Sequence, residues 1–180
     1  MQFTLSYRGE LKSNGDKEHK HNLRRHFHVQ LANLWKQPPL KDRPELTADP
    51  QGNLSLLIRQ GSFRFVPLVS TRINAIADLD ILMLRPGVPG DIIKVGGDID
   101  NRLKTLLDAL KVPEANAIPP NCTPQSGEDP FCCLLEDDKL VTSIRIETDR
   151  LLDASSENEV LLVVRVSTKL TKICWGTIGL

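Results

Sequence analysis

The stretch NAIADLDILMLRP, at residues 74–86, places the strongest constraint on the fold of this chain. After Asp78 it is almost continuously apolar, which is typical of a strand that lies inside a sheet. A glycine-rich loop, GVPGDIIKVGG, follows it, and the apolar residues of the next segment recur at helical spacing. The chain is therefore expected to contain a sheet whose central strand leads through a loop into a helix.

Other segments extend this pattern. MQFTLSYRGEL alternates apolar and polar residues as a strand does, and residues 21–35 have the periodicity of an amphipathic helix. LSLLIRQGSFRFVPLVS predicts two strands with a turn at Gln60-Gly61, and KLVTSIRIETDRL and EVLLVVRVSTKL predict two more. We therefore predict a single α+β domain over residues 1–180, with a mixed sheet of about five strands, two main helices and a long insertion loop around residues 112–130.

The segment GGDIDNRLKTLLDAL, at residues 96–110, has two interpretations. In the first it is an ordinary helix, whose apolar face carries Leu103, Leu106, Leu107 and Leu110. Asp98 then suits the N-cap, and Asp100 is stabilised by the positive end of the helix dipole. Lys104 would form a plain ion pair with Asp100 or Asp108, one helical turn away on either side.

In the second interpretation the aspartates bind a metal ion. They follow a strand at its end, and the later segment LLEDDKLV supplies a further acidic triplet, Glu136, Asp137 and Asp138, before another strand. Oxygen ligands without histidine or cysteine select Mg²⁺ or Mn²⁺ rather than zinc. Divalent ions held by carboxylates beside a lysine are suited to phosphodiester hydrolysis.

GGDIDNRLKTLLDAL and LEDDKLVTSIRIE together resemble the core of the RusA-like Holliday-junction resolvases, over about residues 80–147. The pattern of that family is D-x-D-N, a lysine four residues after the second aspartate, a D-A-L end to the helix, and a D-D pair before a strand. The resemblance implies a RusA-like fold and a metal-dependent endonuclease that acts as a homodimer on branched DNA. It makes Asp98, Asp100 and Asp138 the Mg²⁺ ligands, with Mn²⁺ as the other suitable ion, and adds Lys104 as the fourth catalytic residue.

The chain departs from the family pattern in two respects. The family joins the helix to the D-D pair by a short connection, whereas VPEANAIPPNCTPQSGEDPFCC intervenes here. Long connections of this kind often serve substrate selection. The family is also typically basic, whereas the formal net charge of this chain is zero.

Positive charge is nevertheless concentrated near the N-terminus. Residues 8–36 contain seven Lys or Arg against three acids, together with all four histidines. We therefore expect DNA phosphates to be contacted by Lys17, Lys20, Arg24 and Arg25. His26 and His28 point to different faces of a helix, which favours a solvated, phosphate-facing role over metal binding.

Apolar runs, the N-terminal segment and the cysteines indicate the cellular compartment in which we expect the protein. No apolar run approaches the roughly 18 residues needed to cross a bilayer, and the N-terminus lacks a secretion signal. The cysteines lack paired C-x-x-C spacing, which favours reduced thiols in a cytoplasmic protein over a disulfide framework; they are Cys122, Cys132, Cys133 and Cys174. Trp175 is assigned either to the core or to a dimer contact.

The sequence thus favours a cytoplasmic, Mg²⁺-dependent, structure-selective DNA endonuclease. One alternative is a non-catalytic nucleic-acid-binding or assembly module that keeps the resolvase fold, and another is a small metal-binding protein without a nucleic-acid partner. The presence of all four motif residues favours the enzyme. Convergence of the three carboxylates on one point is the structural criterion that separates these functions.

Overall fold

The computed structural model of the chain describes residues 1–49, 54–87 and 99–172. The helices and strands in these ranges are, in chain order, β1 (Gln2–Glu10), α1 (Lys17–Trp35), β2 (Ile58–Gln60), β3 (Phe63–Val69), β4 (Ala75–Arg85), α2 (Ile99–Leu110), β5 (Phe131–Leu135), β6 (Val141–Arg150) and β7 (Glu159–Leu170). Short 3₁₀ helices occupy Leu40–Asp42, Pro44–Leu46, Thr71–Ile73, Ala115–Ala117 and Asp138–Leu140. The predicted α+β class is confirmed.

β4 lies inside a four-stranded sheet, as its apolar sequence predicts. The strand order is β1-β7-β4-β6, and β4 pairs antiparallel with β7 and parallel with β6. Buried and half-buried side chains alternate along β4, so one face of this sheet packs on the core while the other is only partly covered.

The second sheet corrects the prediction of a single sheet of about five strands. It has the order β2-β3-β5, with β2 antiparallel and β5 parallel to β3, which makes seven strands in two sheets across the described ranges. β5 was not predicted, because FCCLL is short and every one of its residues is buried. A strand buried on both faces lacks the alternation by which strands are recognised.

Both sheets contribute to one hydrophobic core, so the described residues form a single domain. β4 and β7 supply Ile81 and Val164, β3 supplies Val66, and β5 supplies Leu134, each at most 1 % exposed. A smaller cluster around Phe63, Phe65 and Phe131 lies beside this core. The three rings contact one another, with centroids 5.3–5.8 Å apart.

The two helices pack on this core and on each other. α1 buries Leu23, Phe27 and Leu31 at the predicted helical spacing, but begins at Lys17, four residues earlier than the periodicity indicated. Asp16 is its N-cap and accepts a hydrogen bond from the His19 amide at 2.8 Å. α2 buries the predicted leucine face, with Leu103 and Leu107 at its partly buried margin.

Gly15 fixes the start of α1 against α2. Its amide donates to Thr105 Oγ1 at 3.0 Å. A Cβ at this position would lie 2.6 Å from a His19 ring carbon and 2.9 Å from the Thr105 methyl, so only glycine permits this approach. The first turn of α1 therefore lies beside the middle of α2.

No helix in the described part of the chain is long and apolar enough to cross a membrane.

Candidate functional site

Asp100 and Lys104 lie on the exposed side of the first half of α2. Both side chains are solvent-exposed, in contrast to the buried leucines opposite them. The Asp100 carboxylate accepts a hydrogen bond from the amide of Asn101, at 2.6 Å, which is ordinary helix-start chemistry. No ion pair joins Lys104 to Asp100 or Asp108 within the described residues, so the default pairing expected for this spacing does not form. Both charged groups are accessible to a ligand.

Asp98 and the loop before it lie outside the described residues. The prediction that Asp98 is a metal ligand therefore stands on its position in the sequence, two residues before Asp100. The same applies to Cys174 and Trp175 near the C-terminus.

Asp138 lies near the other end of α2. Its Oδ2 accepts from Lys111 Nζ at 2.7 Å, and the same ammonium lies 3.5 Å from Asp108 Oδ1. Asp108 also pairs with Lys20 Nζ at 2.8 Å. The backbone positions of Asp108 and Lys111 lie about 12–16 Å beyond Asp100 along the helix axis, because they follow it by 8 and 11 residues. Asp138 is therefore held at the end of α2 opposite to the end that carries Asp100.

Burial and ion pairing act in opposite directions on the pKa of Lys111 and on the pKa of Asp108. Burial acts to lower the pKa of Lys111, but the carboxylates of Asp138 and Asp108 outweigh it and raise that pKa. Burial acts to raise the pKa of Asp108, and its contacts with Lys20 and Lys111 reverse the direction. Both shifts favour the charged forms of Lys111 and Asp108, and the Lys111 ammonium lies between the carboxylates of Asp108 and Asp138.

The other members of the acidic triplet have structural partners. Glu136 accepts from Ser70 Oγ at 2.6 Å and from the Thr71 amide at 2.8 Å, which ties β5 to the loop after β3. Burial acts to raise the pKa of Glu136, but these hydrogen bonds outweigh it and lower the pKa. Asp137 accepts from the Lys139 amide at 3.0 Å, as the N-cap of the 3₁₀ helix that contains Asp138.

The carboxylates of the predicted metal ligands differ in how accessible they are to an ion. Asp100 presents an exposed carboxylate of the type that Mg²⁺ prefers. Asp138 has its oxygen occupied by the Lys111 ammonium and fits only if that contact is exchanged for the ion. Within residues 1–49, 54–87 and 99–172, no group of three or more His, Cys, Asp or Glu side chains is arranged to hold a metal.

Arg24 has a structural role instead of the predicted phosphate contact. Its side chain is buried, with 2 % of the residue exposed. The guanidinium donates to the main-chain carbonyls of Asp108, at 2.7 Å, and Lys111, at 3.3 Å. These carbonyls lie at the C-terminal end of α2, in its last turn and directly after it, where the helix dipole favours a cation. The sequence around Arg24 gave no signal that this side chain would bind the end of α2, because the residues that it contacts lie more than 80 positions away.

Arg24→Ala should destabilise the protein by about 3 kcal/mol, since two hydrogen bonds from a charged donor are lost and the helix carbonyls are left unsatisfied. Urea denaturation measures the change in the free energy of unfolding. Arg59→Ala is the matched control, because Arg59 has a side chain that is 72 % exposed and its one ion pair within the described ranges is with surface Asp49. Equal stability of the two variants would contradict the capping role.

Arg25 is also engaged within the protein. It forms a two-point contact with Glu128, with Nε–Oε1 at 2.8 Å and Nη2–Oε2 at 3.3 Å. Glu128 belongs to the insertion loop, and only 6 % of it is exposed. The predicted DNA contact of Arg25 is therefore replaced by a clamp between α1 and the insertion.

Lys17 and Lys20 line an open cleft of about 420 Å³ between the start of α1 and the end of α2. Lys17 is exposed and has no ion pair among the described residues, whereas Lys20 is held by Asp108. Lys111 lines the same cleft. Of the four predicted phosphate contacts, these two lysines keep access to an anion from outside.

Comparison with known proteins gives no relative for this chain. Its sequence matches no family model and no curated protein, and its structure matches no solved structure. The resemblance to the RusA-like resolvases therefore depends on the motif residues alone.

Proposed function

We propose that this protein is a Mg²⁺-dependent, structure-selective DNA endonuclease that resolves Holliday junctions or other branched DNA. The observation that carries the proposal is the exposed pair Asp100 and Lys104 within D-x-D-N-x-x-K, both without an ion-pair partner among the described residues. The buried residues of α2, among them Leu106 and Leu110, pack the helix on the core. A carboxylate and a lysine so placed can engage a metal ion and a phosphate from solvent.

The proposed chemistry divides between the residues. Asp98 and Asp100 would hold the ion, whose chemistry when bound would be to activate a water and to neutralise charge on the scissile phosphate. Lys104 meets the negative charge that develops on the phosphate oxygens in the transition state. Asn101 donates its main-chain amide to the Asp100 carboxylate in the first turn of the helix.

To serve as the third ligand, Asp138 must leave Lys111, and the segment that carries it must also move along α2 toward Asp100, because rotation of the side chain alone does not cover that separation. Lys111 then keeps Asp108 as a second partner at 3.5 Å. The ammonium therefore does not lose all of its compensation when Asp138 moves. The proposal assigns this exchange to the bound state with metal and DNA.

Lys17 is the best-placed phosphate contact. Lys17→Ala should reduce the slope of log K against log salt by about 0.9, since one fewer counterion is released. Fluorescence anisotropy with a labelled four-way junction at several salt concentrations measures the slope. Lys41→Ala is the control, because Lys41 is also exposed but follows the opposite end of α1. Identical slopes for wild type and Lys17→Ala would remove Lys17 from the DNA interface.

The activity is tested with a four-way junction, a flap and a linear duplex, each with Mg²⁺, with Mn²⁺ and with EDTA. We expect cleavage of branched substrates only when a divalent ion is present. Absence of cleavage under all conditions by protein that binds the junction would overturn the nuclease proposal. The homodimer implied by the resemblance is tested in parallel by the solution mass of the protein.

A non-catalytic nucleic-acid-binding module is the second candidate. The placement of Asp138 at the end of α2 opposite to Asp100 favours it, because carboxylates at opposite ends of a helix cannot hold one ion together. It predicts junction binding that is unaffected by EDTA and is never followed by cleavage. The cytoplasmic location belongs to both candidates and is consistent with free thiols at Cys122, Cys132 and Cys133.

A further inference from the structure

The two outer strands of the four-stranded sheet differ in how their open edges are covered. β1 forms one edge of this sheet and β6 forms the other. At β1, Gln30 of α1 makes a two-point contact with the main chain of Ser6: its Oε1 accepts from the Ser6 amide at 3.0 Å, and its Nε2 donates to the Ser6 carbonyl at 2.7 Å. His26 Nε2 lies 3.0 Å from the same carbonyl. Side chains of α1 therefore occupy the β1 edge, which is one way in which proteins protect a sheet edge.

β6 lacks this protection within the described ranges, where β4 is the one strand that pairs with it. It is ten residues long, and its sequence VTSIRIETDR contains neither lysine nor proline, the residues that commonly prevent an edge from pairing. Ile144 is 39 % exposed although it is a large apolar residue. A long edge rich in β-branched residues is a template for pairing with a further strand.

The ladder with β4 determines which main-chain groups of β6 face the open edge. The Leu151 amide donates to the Arg85 carbonyl at 2.9 Å, and the pairing of β6 with β4 is regular over residues 143–150. Because the main-chain groups of successive residues point to opposite sides of a strand, the odd-numbered residues of this range face β4 and the even-numbered ones face outward. The outward-facing positions at the centre of β6 are Ile144, Ile146 and Thr148.

The charges on β6 select one antiparallel register for a second copy of the strand. Arg145 and Glu147 lie on the same face, with side chains that are 72 % and 64 % exposed and a contact of 3.3 Å between them. A two-fold axis at Ile146, perpendicular to the sheet, sets Arg145 of each copy opposite Glu147 of the other. The same axis sets Ile146 opposite itself and Ile144 opposite Thr148, so the outward-facing positions form hydrogen-bonded pairs. An axis at position 145 would oppose two arginines and an axis at 147 two glutamates, which is unfavourable.

We propose that β6 is the edge through which two copies of this chain associate, antiparallel and with the two-fold axis at Ile146. The association joins two four-stranded sheets into one continuous sheet and covers the exposed part of Ile144. The same surface patch serves on both copies, as a two-fold symmetric interface requires. The proposal does not rest on the nuclease function, since a dimer formed through another surface would exclude this interface and leave that function open.

Sedimentation velocity of the full chain without DNA, from about 1 to about 100 µM, tests the proposal. We expect the mass to rise with concentration toward twice that of the chain. Arg145→Glu should raise the dissociation constant about tenfold or more, because like charges then meet at two symmetric sites. Arg145→Glu combined with Glu147→Arg restores opposite charges and should return the constant to within about threefold of wild type. Arg59→Glu, at another side chain that is 72 % exposed, is the matched control and should dimerise like wild type.

A chain that stays monomeric over this range would overturn the proposal. A dimer that is unaffected by Arg145→Glu would overturn it as well, because it would use a different surface. A double variant as weak as the single one would exclude the pairing of Arg145 with Glu147. Thermal unfolding of each variant shows that a change in mass is not a loss of folding.

Disulfide crosslinking tests the position of the axis directly. In the proposed register Ile146→Cys lies opposite its own copy, with about 5.5 Å between the two Cα atoms, which a disulfide can span. Ser143→Cys is the control, because it lies opposite Asp149 and about 20 Å from its own copy. We expect mild oxidation to give a covalent dimer linked through position 146 for the first variant only, identified by mass spectrometry of the crosslinked peptide. Equal crosslinking of the two variants, or none, would contradict the register, and if Ile146→Cys does not fold the charge-reversal series still decides.

Discussion

Replacing Asp100 by asparagine should reduce DNA cleavage by about 10³-fold, because losing one charged ligand removes about 4 kcal/mol of the stabilisation that the ion provides in the transition state. The fold should be unaffected, since Asp100 is exposed and its one hydrogen bond, to the Asn101 amide, can be accepted by an asparagine carbonyl. Junction binding in EDTA should be equal or tighter, because a negative charge near phosphate is gone. Single-turnover cleavage and anisotropy measure the two quantities.

The control for Asp100→Asn is Asp42→Asn, an exposed carboxylate near the far end of α1. It makes the same change in net charge away from the motif and should cleave at the wild-type rate. Wild-type cleavage by Asp100→Asn would remove Asp100 from the metal site. A thermal unfolding midpoint within about 2 °C of wild type confirms that a lost rate is not lost folding.

Asp138→Asn then separates the two possible roles of that carboxylate. If Asp138 leaves Lys111 and joins the ion, this variant loses cleavage as Asp100→Asn does. If Asp138 only pairs with Lys111, the variant loses a half-exposed ion pair and cleaves normally. The second result would restrict the metal site to Asp98 and Asp100, or favour the binding module.

The elements that the sequence predicts well are those whose periodicity reflects one buried face. Leu106 and Leu110 of α2 are buried as their spacing predicts, while Leu103 and Leu107 are partly buried, and β4 lies between two strands as its apolar run indicates. In both cases the pattern and the packing depend on the same hydrophobic contacts. β5 escaped prediction because burial on both faces removes the alternation, and with it the division into two sheets was missed.

Side-chain partners that are distant in sequence were beyond prediction. Arg24 and Arg25 are adjacent on a basic helix, yet one caps α2 and the other clamps Glu128. A helical projection assigns a residue to a face of its own helix but does not say what that face packs against. The positive charge of the segment therefore predicted an affinity for anions. It did not identify which basic side chains of the segment form contacts inside the protein instead.

The residues of the candidate site also differ in whether local helix geometry or tertiary packing determines their position. Asp100 and Lys104 share a face because helix geometry alone fixes the relation of residues four apart. Asp138 approaches α2 through β5 and the insertion loop, so its position depends on the whole path of the chain. The motif singled out Asp138 as a candidate metal ligand. Its contact with Lys111 arises from tertiary packing, which the motif does not describe.

Lys104→Met should lower the cleavage rate by about 10²–10³-fold, as expected for loss of one group that stabilises charge only in the transition state. Methionine keeps the length and helix propensity of lysine, and Lys104 has no ion-pair partner among the described residues, so stability should be unchanged. Metal affinity should be equal or slightly higher, because a nearby positive charge is removed. DNA binding should weaken only by the loss of one exposed charge.

Single-turnover cleavage at saturating protein isolates the chemical step from binding in the Lys104→Met test. Lys41→Met makes the same change at an exposed lysine remote from the motif and should cleave like wild type. If Lys104 were merely a solvated surface residue, its variant would match this control, since an exposed lysine with no partner contributes neither to stability nor to turnover. A rate within twofold of wild type would therefore exclude Lys104 from catalysis, whereas a selective loss of rate with intact stability and binding places its ammonium beside the reacting phosphate.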